Sequence, residues 1–334
     1  MNTILVTGAG GYIGSVGTYE LLKKGYKVIA LDNFSRGYHE PLELLQKKFG
    51  NDHLTIYERS LHDKLDDLFQ KEHPEAVVHY AAFCKVDESM KEPDIYFDNN
   101  TMGSLNLLRT MERNQVRTII FSSTCAVYGE AQYVPVDEKH PTNPTNPYGD
   151  SKRMTEKIID WYKQLRGWNY SILRYFNVCG ASEDGLIGDS KKPSVLLVQN
   201  AVRGALGIEP FHITCPKVDT PDGTPIRDYI NVVDLNEAHI AALEYMLKGN
   251  KSEIMNLGTG KGNSVKEIVS EVQKVTGKPF SMDSTTPRQG EYASMIANTE
   301  KAQKVLGWKP KRSIADSVAA LTAWYSKHPH GWSR

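Results

Sequence analysis

The chain has 334 residues, with 40 basic and 40 acidic side chains for a formal charge of zero, and 40% of it is hydrophobic. That balance excludes a dedicated nucleic-acid or anionic-membrane binder, since both need a basic excess or a concentrated basic face. No apolar run approaches the ~18 residues of a spanning helix, and at about 150 residues per domain the length fits one large or two modest domains.

Apolar residues begin at Ile4 and run into a glycine-rich turn, which reads as a first strand and not as a signal peptide. Buried strands are expected at Thr3–Val6, Lys27–Leu31, His53–Tyr57, Ala76–Tyr80, Arg117–Phe121 and Tyr170–Arg174. Helical patterns fall between them, for example at Ile13–Lys24, Pro93–Arg113 and Tyr148–Leu165. Such alternation predicts right-handed βαβ units: an α/β fold with a Rossmann-type, doubly wound parallel sheet. After about Asn177 the rhythm breaks into Gly-, Pro- and Asp-rich loops. A strand Ile226–Val233, a helix Leu235–Leu247, a strand Ile254–Leu257 and helices Ser264–Thr276 and Ile314–Tyr325 then follow. A dinucleotide-binding domain over 1–176, with return segments near 226–250, and a smaller C-terminal α/β lobe over 177–334 are expected. Cys84, Cys125, Cys179 and Cys215 are widely spaced with no CxxC, as in free cytosolic thiols.

Thr7-Gly8-Ala9-Gly10-Gly11-Tyr12-Ile13-Gly14 joins the first strand to the first helix, and the productive spacing is Gly8, Gly11, Gly14. Glycines there permit a tight turn and let the helix start meet a pyrophosphate with free N–H groups and its dipole. Asp32 ends the second strand 18 residues beyond Gly14, where a carboxylate accepts hydrogen bonds from ribose hydroxyls and repels a 2′-phosphate. NAD is therefore favoured over NADP; Arg36 lies close enough to soften that preference without reversing it. Tyr148 and Lys152 share a helical face behind Pro147. An ammonium beside a tyrosine lowers its pKa from near 10, so that it can take a proton from a sugar hydroxyl while hydride leaves the same carbon. The strand Phe121-Ser122-Ser123-Thr124 should end beside the nicotinamide, with Thr124 offering its hydroxyl to the same substrate oxygen.

With His79-Tyr80-Ala81-Ala82, Asp98-Asn99-Asn100, Leu173-Arg174-Tyr175-Phe176-Asn177, Arg227-Asp228-Tyr229-Ile230, Arg288-Gln289-Gly290-Glu291 and Leu306-Gly307-Trp308, this constellation resembles the extended short-chain dehydrogenase/reductase family. Within it the likeness is to the UDP-glucose (UDP-galactose) 4-epimerases, over nearly the whole chain. The resemblance implies an isomerase of galactose and carbohydrate metabolism. It would interconvert UDP-glucose and UDP-galactose through C4 oxidation, rotation of the 4-keto sugar and hydride return to the opposite face. It implies tightly bound NAD, lined by Gly8, Gly11, Tyr12, Ile13, Asp32, Asn33, Ser60, Leu61, Asn99, Tyr148, Lys152 and Tyr175. Tyr148, Lys152 and Thr124 would be catalytic. Substrate would meet Thr124, Tyr148, Asn177, Arg227, Arg288, Glu291 and Met295, with the arginines on its phosphates and Glu291 on the uridine ribose. No metal is implied. A cytoplasmic homodimer joined through the helices of Pro93–Arg113 and Tyr148–Leu165 is.

Cys125-Ala126 stands where nucleotide-sugar 4,6-dehydratases carry Asp-Glu, which favours simple epimerisation. Ser60 replaces a usual aspartate at the adenine, Cys84-Lys85 replaces a lysine-bearing segment, and the loop Lys191–Leu197 has no assigned contacts. Met295 falls at the position that limits bulk at the sugar C2 substituent, so N-acetylhexosamines, and pentoses or uronates with the same chemistry, stay open as substrates. A non-catalytic NAD or nucleotide-sugar sensor would have no need of the Thr124, Tyr148 and Lys152 set. Lys309-Pro310-Lys311-Arg312 reads as an exposed turn and His328-Pro329-His330 as a solvated tail.

Overall fold

The computed structural model describes residues 2–191, 194–280, 283–284 and 292–332. It divides into two compact units. The first comprises Met1–Glu130, Pro141–Arg174 and Asn236–Met255. Its elements are β1 (Thr3–Thr7), α1 (Tyr12–Lys23), β2 (Lys27–Asp32), α2 (Glu40–Phe49), β3 (Leu54–Glu58), α3 (Asp66–Glu72) and β4 (Ala76–His79). There follow α4 (Val86–Ser89), α5 (Pro93–Tyr96), α6 (Gly103–Arg113), β5 (Thr118–Thr124), α7 (Pro147–Arg166) and β6 (Asn169–Tyr175).

A seventh strand, Glu253–Leu257, completes a sheet whose order is Glu253–Leu257, β6, β5, β4, β1, β2, β3. β1 runs parallel to β2 and to β4, with Thr7 beside Leu31 on one flank and His79 on the other. Because chain order reverses between β1 and β4, the loops leaving these strands diverge and leave a crevice at their C-terminal ends. Leu5, Ile29, Leu31, Val77, Ile119 and Phe121 pack with Leu107, Leu108 and Met111 of α6, Ile159 of α7 and Trp168 in one buried cluster. All six strands expected in this half are present, and the α/β sheet is of the doubly wound, Rossmann type.

Two features depart from the periodicity. The single helix expected over Pro93–Arg113 is three pieces, with a π-helical turn at Phe97–Met102 between α5 and α6. That wide turn carries Asn100, whose amide bonds both backbone groups of Phe83 and the Ser151 hydroxyl. Next, the strand at Ile226 ends at Asn231 and the following helix starts at Val232, earlier than the spacing suggests. The Asn231 side chain accepts from the Val233 N–H at 2.8 Å and so caps that helix.

The second unit is Ala131–His140, Tyr175–Leu235 and Asn256–Arg334. Its central strand Ile226–Asn231 pairs with Asn177–Cys179, Gly262–Ser264 and Ser294–Met295. The helices Leu197–Ala205, Val265–Thr276 and Ile314–Lys327 pack on one another. Capping boxes at Ser264/Glu267 and Ser313/Asp316 fix where the last two begin.

At Gly14 a methyl group would lie 2.0 Å from the Gly8 carbonyl oxygen, a backbone atom that cannot move without opening the turn. Gly14→Ala should therefore lower the melting temperature by several degrees, on the scale of 1–3 kcal/mol for overpacking. Thermal unfolding followed by circular dichroism, with the wild type alongside, checks this.

Candidate active site

The crevice begins with the turn after β1. Gly8 adopts φ +70°, and a Cβ there would strike the Ala81 amide nitrogen at 2.6 Å, so only glycine fits. No side chain caps α1, and its first turn holds no acidic residue, which leaves the helix start suited to an anion. Asp32, nearly buried at the end of β2, accepts from the Gly10 N–H at 2.9 Å and the Phe34 N–H at 2.8 Å. Burial raises its pKa, while those two amides oppose the rise. The carboxylate thus ties the turn to β2 beside the helix start. Tyr12 is buried, and the Ile13 carbonyl accepts from the Asn236 side chain. These residues fit a dinucleotide: a glycine cradle without room for a methyl, an uncapped helix start, and a carboxylate at the ribose position.

Around this cradle, Asn33 closes an Asx turn onto Ser35. The Ser60 hydroxyl accepts from the His62 N–H, and Asp63 accepts from the Ser60 N–H, so a carboxylate returns three residues after the serine. Leu61 is buried against Gly103. Asn99 donates to the Asn100 side chain at 3.0 Å.

The second component lies where β5 ends. Thr124 caps the short helical turn Cys125–Val127, its oxygen accepting from the Ala126 N–H at 3.2 Å. That contact occupies a lone pair and leaves the hydroxyl proton to be donated. α7 opens with Asn146 accepting from the Gly149 N–H and Pro147 in its first turn. A Cβ on Gly149 would lie 2.6 Å from the Ala126 carbonyl oxygen, so the helix start abuts the turn after Thr124 directly. This approach brings the Tyr148 end of α7 to the Thr124 end of β5. Tyr148 is 6% exposed and meets the Tyr96 ring edge-on at 6.4 Å.

One helical turn on, Lys152 is 2% exposed and donates to the Ser122 carbonyl at 2.9 Å, with its ammonium over the Phe121 ring. Burial lowers its pKa to about 8, against a pull upward from Glu156. His79 stands between the Thr7 and Ser104 hydroxyls at 2.6 and 2.8 Å, and burial, helped by Lys152, lowers its pKa to about 3, so it is neutral. Ser123 donates to Glu156, which pairs with Arg174 through two hydrogen bonds of 2.9 and 2.6 Å. The motif segments at 79–82, 98–100 and 173–177 signal these supports in the sequence, but not their partners.

In the second unit, Asn177 lies opposite Tyr229 and Met295 opposite Arg227 in register. Tyr175 is partly exposed and Met295 is buried. Asp228 is fully buried and accepts from the Thr259 N–H and hydroxyl and from the Gly260 and Ala297 N–H groups. Arg288 and Glu291 lie outside the described residues, as do Lys192 and Pro193 of the Lys191–Leu197 loop. Two readings of the sequence change here. Arg312 of the basic cluster pairs with buried Asp234 and with Glu183, and the Trp308 indole donates to the Asp234 carbonyl. His328 stacks on Trp324 with ring centres 4.2 Å apart, whereas Pro329 and His330 are exposed as expected.

Comparison with known proteins places this geometry. Residues 4–258 match the NAD dependent epimerase/dehydratase family. The chain is similar to a UDP-glucose 4-epimerase of Halalkalibacterium halodurans, with 42% identity over 99% of this chain and 97% of that one. It is similar to the crystal structure of the Bifidobacterium longum UDP-glucose 4-epimerase in complex with NAD+ and UDP, at TM-score 0.93 and 36% identity, covering 99% and 100% of the two chains. It is also similar to the UDP-Glc/GlcNAc 4-epimerase of Campylobacter jejuni, at TM-score 0.84 and 36% identity, covering 98% and 100%. The chain belongs to the NAD dependent epimerase/dehydratase family.

When a lysine pKa falls from 10.5 to about 8 on folding, the unfolded chain holds its proton more tightly than the native one between those pH values. Native stability therefore rises with pH across that window, and at pH 7 the buried charge costs about 3 kcal/mol. Lys152→Met loses a hydrogen bond of about 1–1.5 kcal/mol but should stabilise the dinucleotide-free protein at pH 7 by about 1–2 kcal/mol. The gain should shrink from pH 8 to 10, as read by melting temperatures across that range.

Proposed function

We propose that this member of the family interconverts UDP-glucose and UDP-galactose as an NAD-dependent 4-epimerase. The observation that carries the reading is the abutment of Gly149 on Ala126. It sets Tyr148 and Lys152 beside Thr124 in the unit that also carries the glycine cradle and Asp32. Bound NAD would supply the hydride acceptor and donor that the chemistry at the sugar C4 needs.

Every other part of the chemistry belongs to this chain. Gly8, Gly11, Tyr12 and Ile13 would hold the pyrophosphate and Asp32 the adenosine ribose; Asn33, Ser60, Leu61, Asn99 and Tyr175 would line the rest. Tyr148 takes the proton from the sugar O4 hydroxyl, aided by the Lys152 ammonium, which raises the population of the phenolate. Thr124 donates to the same oxygen, one of its own lone pairs being taken by the Ala126 N–H. Cys125 and Ala126 offer no carboxyl for a dehydration, so the oxidised sugar would rotate and be reduced again on its opposite face. Asn177 and the guanidinium forks of Arg227 and Arg288 are assigned to the substrate diphosphate, and Glu291 to the uridine ribose. Met295, flexible and of middling bulk, is assigned to the C2 substituent, where it leaves room for N-acetylhexosamines beside unsubstituted hexoses.

A cytoplasmic homodimer completes the reading. No helix among the described residues is long and apolar enough to cross a membrane, and none of the four cysteines is in a disulfide. Met102, Met154, Trp161 (58% exposed) and Leu165 (71%) are large apolar side chains in contact with water on the Phe97–Met102 turn and α7. Such a face is the kind that a second copy covers.

Purified protein given UDP-galactose without added cofactor should yield UDP-glucose with no net NADH. Absence of product even with supplied NAD would overturn the reading, and UDP-N-acetylglucosamine turned over equally well would overturn the substrate order. Tyr148→Phe should lower kcat by about 10²–10⁴-fold. Light scattering should give twice the 37.5 kDa chain mass, and Trp161→Glu with Leu165→Glu should halve it.

A further inference from the structure

Arg36 is the cationic side chain nearest in sequence to Asp32, and its backbone sits against the ribose end of the crevice. A Cβ on the next residue, Gly37, would lie 3.0 Å from the Asp32 carboxylate. A guanidinium at this place is the usual partner of a 2′-phosphate. Here it is directed elsewhere. Its Nη1 donates to Glu88 Oε2 at 2.5 Å, and its plane lies over the Phe83 ring with the guanidinium carbon 3.5 Å from the centroid.

Both captors are themselves fixed. Glu88 Oε2 accepts from the hydroxyl of buried Tyr96 at 2.6 Å, and that hydroxyl also meets the Lys85 carbonyl at 2.7 Å and the Lys85 N–H at 3.0 Å. The Phe83 backbone is held by Asn100 on both sides, at 2.8 and 3.0 Å. The pair therefore joins the loop after β2 to the loop after β4, the two strands that flank β1 and its glycine turn.

We propose that Glu88 and Phe83 are specificity-determining residues, which hold Arg36 away from the ribose end of the crevice and so deny a 2′-phosphorylated dinucleotide its cationic partner. The inference rests on the dinucleotide site at Asp32. Asp32 repels the phosphate; the capture of Arg36 withholds a neighbouring guanidinium that could offset that repulsion. NADP is then rejected twice, by a charge present and by a charge withheld.

The test compares wild type, Glu88→Gln, Phe83→Ala, Arg36→Ala and the Glu88→Gln/Arg36→Ala double variant. Each is incubated with equal excess NAD and NADP, freed of unbound nucleotide and heat-denatured, and the released dinucleotides are quantified. Wild type should release NAD almost alone. Glu88→Gln and Phe83→Ala should each raise the NADP:NAD ratio about tenfold, the scale of one regained charge-assisted contact. Arg36→Ala and the double variant should keep the wild-type ratio, because the gain runs through the guanidinium. Two separate substitutions guard against failure of either to fold. An unchanged ratio in both, with NAD still retained, overturns the proposal and leaves the dinucleotide site standing. A rise that survives in the double variant also overturns it. Wild type that retains neither dinucleotide overturns the site and the proposal together.

Discussion

A positive charge almost out of water is the constraint around which the first unit is arranged. Lys152 donates to a single backbone carbonyl, at Ser122, and burial draws its pKa down to about 8. A second cation beside it would be costly, and His79 is kept neutral between two hydroxyls that take both of its ring nitrogens. The carboxylate one turn along, Glu156, pulls the lysine toward its charged form. It is itself satisfied by Arg174, Arg153 and Ser123 and so adds no loose charge of its own.

The geometry that makes this charge useful comes from close backbone approach. Gly8 and Gly14 let the turn after β1 fold on itself, and Gly149 lets α7 begin against the turn after β5. Parallel strands end in register, so the cradle, Asp32 and Thr124 appear on one edge of one sheet. A side chain at any of these glycines would separate elements whose chemistry depends on being adjacent. The π-helical turn at Phe97–Met102 serves the same end: it turns Asn100 onto the loop at Phe83 and onto Ser151, next in sequence to Lys152.

In the second unit, neighbouring residues of one motif divide the labour. Arg227 is partly exposed, whereas Asp228 is wholly buried and binds the loop at Thr259 and Gly260. Burial favours its neutral form, and the converging amides hold the charge. Gly258 must lack a side chain there, since a Cβ would lie 2.5 Å from that carboxylate. Motif strength thus reflects packing as much as recognition.

The sequence by itself determined the sheet, because short β-branched runs alternating with amphipathic stretches have few other ways to bury themselves. It also determined the glycine turn with Asp32 and the Tyr148–Lys152 pair, since each rests on short-range spacing that secondary structure converts directly into geometry. Helices α2 and α3 and the break inside Pro93–Arg113 were hidden, the first two being short and the last depending on where one amide side chain finds partners. Only the tertiary structure decided that Lys152 loses its water, that His79 stays neutral, that Arg312 is an ion-pair partner and not a solvated cation, and that Arg36 turns to Glu88 and Phe83. Those outcomes join residues dozens of positions apart, and no local pattern encodes the desolvation or the competing partner that fixes each one.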